Sequence, residues 1–135
     1  MSPRATLVAG AVLVALAAAT AAAATSKVIG AGTHLKGTKI WYAHGNAASP
    51  KSVSASLVPS PAQPVKVQWA LVCQRPNPQD PAIHLAAQST SGTTSVRGAA
   101  IVKLALPYAK PHSCVATVYA TLAKAGSLTL RLLQT

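Results

Sequence analysis

The side chains that could carry out acid–base or metal chemistry are few in this sequence. Of its 135 residues, Asp80 is the only carboxylic acid, against 12 lysines and arginines that give a formal charge of +11. A single carboxylate excludes most chemistry built on paired acids, including glycoside hydrolysis and carboxylate-clamped Mg²⁺ or Ca²⁺ sites. An enzyme would have to find its acid, base or metal ligands elsewhere.

The histidines and hydroxyls do not supply a recognisable catalytic pattern. None of the four histidines takes part in an H-x-H, H-x3-H or H-E-x-x-H spacing, the four being His34, His44, His84 and His112. A Ser-His-Asp triad would have to recruit Asp80 from a proline-rich stretch, and no G-x-S-x-G motif is present to hold a nucleophile. The sequence therefore favours a protein that is not an enzyme and that uses no cofactor or metal.

Residues 1–24 have the three-part layout of a secretory signal peptide. A short start containing Arg4 precedes an uncharged apolar run, and Ala22-Ala23-Ala24 supplies the small residues of a cleavage site. An uncleaved membrane anchor is the alternative, because about 20 apolar residues can span a bilayer. Alanine partitions only weakly into hydrocarbon, so we predict cleavage after Ala24, no membrane anchor thereafter, and a secreted or cell-wall-associated product.

Export determines how the two cysteines are interpreted. Cys73 and Cys114 are far apart in sequence and lack the C-x-x-C spacing of a redox or zinc site. In an oxidising compartment a single pair of cysteines is expected to form a disulfide. Each lies on the apolar side of its own predicted strand, so we expect the bond to join two strands through the core.

Alternating apolar residues predict the fold. From Val65 to Cys73 every second residue is apolar, which is the period of a half-buried β-strand. The same period occurs at residues 53–57, 100–106, 114–122 and 128–132, and more weakly at 39–43 and 83–87. Strands spaced by about ten residues are typical of antiparallel sandwiches. We predict an all-β sandwich of six to eight strands, with its core in residues 51–135 and one or two further strands in residues 25–50.

The connections are predicted from their turn-forming residues. Residues 59–64 contain three prolines and are expected to form a bend or a switch between sheets. Residues 89–95 are rich in Ser, Thr and Gly and are expected to form a turn. Lys124-Ala125-Gly126 has the length of a hairpin between the last two strands. The three prolines of residues 75–81 predict an extended, rigid loop.

Trp69, Cys73 and Cys114 resemble the core of immunoglobulin-like sandwiches. In that family an inter-sheet disulfide packs against a buried tryptophan. Here Trp69 precedes Cys73 on the same predicted strand, and His112 stands where the family has its corner tyrosine, so the likeness is to a generic sandwich and not to an antibody domain. The layout is also similar to small secreted proteins of high-GC bacteria. These resemblances imply export and one inter-sheet disulfide, and they imply no particular activity.

Uncompensated positive charge is the main clue to function. Removal of residues 1–24 leaves about +10, and the field of these cations extends roughly a Debye length, about 8 Å in physiological salt. Anionic cell-wall polymers or other polyanions are the natural partners, with no specific nucleic acid among them. The candidate contacts are Lys36, Lys39, Lys66, Lys103 and Arg131. Of these, the last three line up if their strands share a sheet. The simpler alternative is that the cations provide solubility and keep strand edges apart.

Two further features bear on function. The rigid loop at residues 75–81, with Arg75 as the candidate contact, suits a secreted inhibitor or protein ligand, because a pre-organised loop binds at lower entropic cost. Trp41 and Tyr42 are adjacent on a predicted strand and must point to opposite faces. An aromatic ring exposed near Lys39 and His44 can stack on sugars or bases. The simpler interpretation places one ring in the core and the other over a strand edge.

Overall fold

The computed structural model describes residues 26–74 and 87–135, and these form nine β-strands. In chain order the strands are β1 (Lys27–Ala31), β2 (Thr33–His34), β3 (Ile40–Ala48), β4 (Val53–Ser60), β5 (Pro64–Gln74), β6 (Gln88–Arg97), β7 (Ala100–Leu104), β8 (Ser113–Leu122) and β9 (Ser127–Gln134). The predicted all-β class is confirmed. The number of strands exceeds the predicted six to eight, because β2 has only two residues and β6 arises from a segment predicted to be a turn. No helix that could cross a membrane occurs within the described ranges.

The strands form two antiparallel sheets that enclose one core. The four-stranded sheet has the order β1-β9-β4-β7, and the five-stranded sheet has the order β2-β3-β8-β5-β6. Every second residue of β4, β8 and β9 is buried, and β5 follows the same pattern at both of its ends. The apolar alternation predicted from the sequence is therefore confirmed as the inner face of each of these strands.

The two cysteines are bonded to each other, but within one sheet. Cys73 of β5 lies directly opposite Cys114 of β8, with 4.1 Å between their Cα atoms and an S–S distance of 2.10 Å. The predicted disulfide is confirmed, and the inter-sheet placement implied by the immunoglobulin-like resemblance is wrong. Directly opposite residues on neighbouring strands point to the same face. Two inward-facing cysteines can thus meet side by side as well as across the core.

The chain crosses between the two sheets at residues 61–63 and again at residues 123–126. Residues 59–64 were predicted to form a bend or a switch between sheets, and residues 61–63 make the switch from the end of β4 to the start of β5 in the other sheet. Residues 124–126 were predicted to form a hairpin, which is wrong because β8 and β9 lie in different sheets. Residues 123–126 can reach about 13 Å when extended, and packed sheets are about 10 Å apart. A short segment is therefore long enough for the crossing.

The Ser/Thr/Gly-rich segment predicted to be a turn is instead the edge strand β6. It pairs with β5 at every position from Gln88 to Arg97, so its backbone groups are satisfied on one side. Most of its side chains are exposed, both those on the inner face of the sheet and those on the outer face. The segment therefore has no need for apolar alternation, and this signal is absent from its sequence.

Trp69 is half-buried and covers the glycine that lies opposite it on β6. Gly92 pairs directly with Trp69, and a Cβ atom added at Gly92 would lie 2.9 Å from three atoms of the indole ring. An aromatic ring laid over a glycine of a neighbouring strand shields that backbone and helps to fix the pairing of the edge strand.

We expect Gly92→Ala to destabilise the protein by about 1–3 kcal/mol, because the new methyl group displaces the indole ring. In a Trp69→Ala background the same change should be neutral or stabilising by up to about 1 kcal/mol, because alanine loses less backbone entropy than glycine in a strand. Urea unfolding of the four proteins of this double-mutant cycle gives the coupling energy. Additive effects would show that the indole ring does not cover Gly92.

The backbones of β1 in one sheet and β3 in the other approach each other closely at two glycines. A Cβ atom at Gly30 would lie 2.5 Å from the carbonyl oxygen of His44, and one at Gly45 would lie 2.6 Å from the carbonyl oxygen of Ile29. Both opposing atoms belong to the backbone, so neither can swing away as a side chain would. These two glycines therefore permit the close approach of the two sheets.

Candidate functional site

The five cations predicted to bind polyanions are divided between the two sheets. Lys103 of β7 and Arg131 of β9 project from the outer face of the four-stranded sheet, on the strands that flank β4. Lys66 projects from the outer face of the five-stranded sheet. Because β5 belongs to the other sheet, Lys66 does not line up with Lys103 and Arg131. Lys36 and Lys39 lie in the connection between β2 and β3.

One end of the five-stranded sheet brings four exposed cations together. We call this set the basic rim, and it consists of Lys39, Lys66, Arg97 and Lys124. Lys39 immediately precedes β3, Lys124 follows the end of β8, and Arg97 is the last residue of β6. The remaining member, Lys66, is the third residue of β5. Lys36 lies at the tip of the β2–β3 connection, at the same end of the sheet.

Backbone hydrogen bonds hold the strand ends of the rim in a row. The N–H of Leu122 donates to the carbonyl of Lys39 at 2.9 Å, and the N–H of Ala123 donates to the carbonyl of Pro64 at 3.1 Å. These bonds join the ends of β3, β8 and β5, and β6 pairs with β5 on its far side. Four adjacent strands cover about 14 Å. The rim is therefore a narrow strip of positive charge.

Two of the rim cations are close neighbours on the outer face. Lys66 lies opposite Ser95, and Arg97 lies two residues further along β6 on the same face. Residues in this diagonal relation are about 7–8 Å apart, which is within the Debye length of about 8 Å in physiological salt. Their fields therefore add, and one anionic group can interact with both.

The buried side chain of Gln63 positions the fourth cation. Gln63 is only 4% exposed, and its Oε1 accepts a hydrogen bond of 2.8 Å from the backbone N–H of Lys124. Its Nε2 donates to the carbonyl of Pro61 at 3.4 Å. A cavity of about 440 Å³ opens beside it, with Arg97 and Lys124 in its lining. The rim thus contains a concave place between two cations.

No carboxylate side chain is available to neutralise the rim within residues 26–74 and 87–135. The sequence has a single acidic residue, Asp80, which lies outside those ranges. Arginine and lysine side chains with no acidic partner among their described neighbours keep their full attraction for an external anion. The rim is therefore electrostatically suited to a polyanion.

Sequence reasoning identified half of the rim and missed the other half. Lys39 and Lys66 were predicted, and Arg97 and Lys124 were not. Arg97 ends the strand β6, most of which was predicted to be a turn, and Lys124 lies in the segment wrongly predicted to be a hairpin. The one available signal was that each is a basic residue at the end of a possible strand. That signal is weak, since it does not say which strand ends lie side by side.

The adjacent aromatics Trp41 and Tyr42 point to opposite faces, as predicted. Trp41 is 7% exposed in the core, and its ring stacks on that of His34 with the centroids 4.2 Å apart. Tyr42 lies on the outer face of the five-stranded sheet, where its ring contacts Tyr119 at a centroid distance of 5.0 Å. Tyr42 therefore lies on the open face beside another ring and not over an outer strand edge.

A larger cavity lies at the opposite end of the sandwich. It measures about 830 Å³ and is lined by the β3–β4 and β7–β8 connections, including Pro50, Leu106 and Lys110. The length of β5, 11 residues at about 3.3 Å each, separates the two ends by more than 30 Å. This cavity is therefore not part of the basic rim.

Several other predicted features fall outside the described residues. Arg75 and the rest of the loop at residues 75–81 lie outside the described residues, as do the signal peptide at 1–24 and most of the weak strand pattern at 83–87. Among the residues that are described, no group of three or more His, Cys, Asp or Glu side chains is placed to hold a metal ion.

Comparison with known proteins gives little further information. No family model matches the sequence, and no curated protein matches it. Among solved structures, a family two carbohydrate esterase from Cellvibrio japonicus aligns with 81% of this chain at 16% identity and a TM-score of 0.33. This chain spans only 30% of the length of that structure. So distant a likeness carries no argument about activity.

Proposed function

We propose that this is a non-enzymatic, secreted or cell-envelope-associated protein that binds anionic polymers through its basic rim. The observation that carries the proposal is the placement of Lys39, Lys66, Arg97 and Lys124 in one strip with no described carboxylate side chain among them. The disulfide between Cys73 and Cys114 is compatible with an extracellular location, since such bonds persist in oxidising compartments.

The expected affinity follows from the number of cations. A lysine or arginine held near an anionic surface contributes about 1 kcal/mol, so four contribute about 4 kcal/mol, which corresponds to a Kd of about 1 mM for a single contact. A polymer offers many such contacts in succession. Because a second anionic group on the same chain is already held near the protein, its high effective concentration raises the apparent affinity. The binding should therefore be weak per site, strongly salt-dependent and tolerant of chemical variation in the polymer.

A matched pair of double variants tests whether the rim or the overall charge is responsible. Lys66→Gln/Arg97→Gln removes one lysine and one arginine from the rim, and Lys103→Gln/Arg131→Gln removes the same charges from the other sheet. We expect the rim variant to lose about 10- to 30-fold in affinity for poly(glycerol phosphate), a loss of about 2 kcal/mol for its two cations. The control variant should lose much less. Titration calorimetry at low salt measures both.

The salt dependence gives a second readout of the same contacts. Each lost contact should flatten the plot of log affinity against log salt by about 0.7, the value for a flexible single-stranded polyanion. Equal losses in the two double variants would show that net charge acts without a defined site. If added salt does not weaken the binding of the wild-type protein to poly(glycerol phosphate), electrostatic binding is overturned altogether.

A further inference from the structure

An aromatic pair lies on the outer face of the five-stranded sheet, next to the basic rim. Tyr42 and Tyr119 are directly opposite each other on β3 and β8, and their rings are inclined at 45°. Tyr119 is 43% exposed, and the ring of the exposed His44 is 6.4 Å from that of Tyr42. These rings form an accessible apolar surface on the outer face of the sheet, which also exposes Val72 and Val115 nearer its other end.

A row of hydrogen-bonding side chains continues this surface across all five strands. Gln68 lies opposite Tyr119, Thr93 lies opposite Gln68, and Thr33 lies opposite Tyr42 at the other end of the row. Five strands cover about 19 Å. Hydroxyl and amide groups both donate and accept hydrogen bonds, as do the hydroxyl groups of a sugar. The row is therefore matched to a ligand that has many hydroxyls.

The aromatic row and the basic rim are continuous with each other. Lys66 lies two residues from Gln68 on the same face of β5, and it is the diagonal neighbour of Tyr119. Diagonal neighbours are about 7–8 Å apart. A ligand that covers the tyrosines therefore places its next group within reach of Lys66 and, beyond it, Arg97.

We infer that this face binds an acidic polysaccharide, a polymer of uronic acid units. One sugar ring lies with its C–H face on Tyr42 and Tyr119 and bonds through a hydroxyl to Gln68 on the next strand. The following unit of the chain bonds to Thr93, about 5 Å further on, and the carboxylates of the chain meet Lys66 and Arg97. This inference rests on the proposed function and names its polymer. A polyphosphate would satisfy the cations but has no ring to place on the tyrosines, and a neutral glycan would leave the rim unused.

The test compares two polymers that differ in the presence of sugar rings, polygalacturonate and inorganic polyphosphate. Tyr42→Thr/Tyr119→Thr keeps strand-forming residues at both positions while it removes the rings. We expect this variant to lose about tenfold or more in affinity for polygalacturonate, comparable with the loss of one stacked ring in other aromatic platforms. Its affinity for polyphosphate should be unchanged. The variant Lys66→Gln/Arg97→Gln should weaken both interactions.

The outcomes separate this inference from the proposal on which it rests. An equal effect of the tyrosine variant on both polymers overturns the polysaccharide, while the basic rim still stands if the lysine–arginine variant weakens both. Insensitivity of both polymers to the lysine–arginine variant overturns the rim itself. Single-stranded DNA is the third polymer to compare. If it binds more tightly than polygalacturonate and its binding depends on the two tyrosines to the same degree, the face binds stacked bases and the polysaccharide is overturned.

A measurement on the unmodified protein guards against a variant that fails to fold. Titration with a short oligogalacturonate should shift the NMR amide signals of Tyr119 and Gln68, and saturation should transfer from tyrosine ring protons to sugar C–H protons. Polyphosphate should shift the signals of Lys66 and Arg97 and leave the ring protons unaffected. Absence of ring-to-sugar transfer with bound oligogalacturonate would overturn the inference.

Discussion

Removal of the disulfide by Cys73→Ala/Cys114→Ala should lower the free energy of unfolding by about 4 kcal/mol. The bond joins residues 41 positions apart, and in the chain-entropy model a cross-link that closes a loop of this size contributes about 4 kcal/mol by restricting the unfolded chain. Domains of this kind have a total stability of about 5–15 kcal/mol. The loss is therefore a large part of the total, and it is measured by urea unfolding of both proteins under oxidising conditions.

Reductant provides the control for this prediction. It should bring the wild-type protein down to the stability of the double alanine variant and should leave the variant unchanged. Cys73 and Cys114 are 0% and 1% exposed, so reduction of the native protein should be slow and should follow the rate at which the core opens. A difference of less than about 1 kcal/mol between the oxidised proteins would mean that the unfolded chain is already compact enough for the cross-link to restrict it little.

Period-two apolar patterns predicted the core strands because burial alone fixes them. The alternations at residues 53–57, 65–73, 114–122 and 128–132 are the inner faces of β4, β5, β8 and β9. Each strand must turn one face to the core whichever sheet contains it. This part of the fold therefore depends only on local sequence, and it could be predicted from a single chain.

The identity of neighbouring strands was not accessible in the same way. Alternation shows that Cys73 and Cys114 both face inward, but the same pattern fits strands that lie side by side and strands that lie across the core. The hairpin predicted at residues 124–126 failed for this reason, since its length fits either arrangement. The edge strand β6 was not predicted, because exposed Ser and Thr residues carry no burial signal and because its pairing with β5 is a long-range contact.

The candidate site shows the same division between local and long-range information. Exposure of Lys66 and the opposite orientations of Trp41 and Tyr42 follow from strand periodicity, and both were predicted. The association of Lys66 with Arg97, and of Tyr42 with Tyr119, follows from the register between strands. Register is set by pairing over the whole sheet, so Lys66 and Tyr42 could be identified from local sequence, whereas their neighbours Arg97 and Tyr119 could not.

The close approach of β1 to β3 depends on two glycines. Substitution of one of them is expected to have a second large effect on the stability of the protein. Gly30 is in β1, which pairs with β9 at only four register positions, with an irregularity after Val28. Gly45 is in the middle of β3, which pairs with β8 along its whole length. A side chain at Gly45 would therefore displace the weaker strand, and β1 should give way before β3 does.

We expect Gly45→Ala to destabilise the protein by about 3 kcal/mol, at the upper end of the usual cost of overpacking, because its methyl group would lie 2.6 Å from the carbonyl oxygen of Ile29. Amide hydrogen exchange should show early loss of protection in β1 while β3 and β8 stay protected, since local opening releases the least-supported segment first. Asn46→Ala is the control, because its exposed side chain should change stability by no more than about 0.5 kcal/mol. Unchanged stability and unchanged protection of β1 in Gly45→Ala would mean that the backbones of β1 and β3 are not in contact.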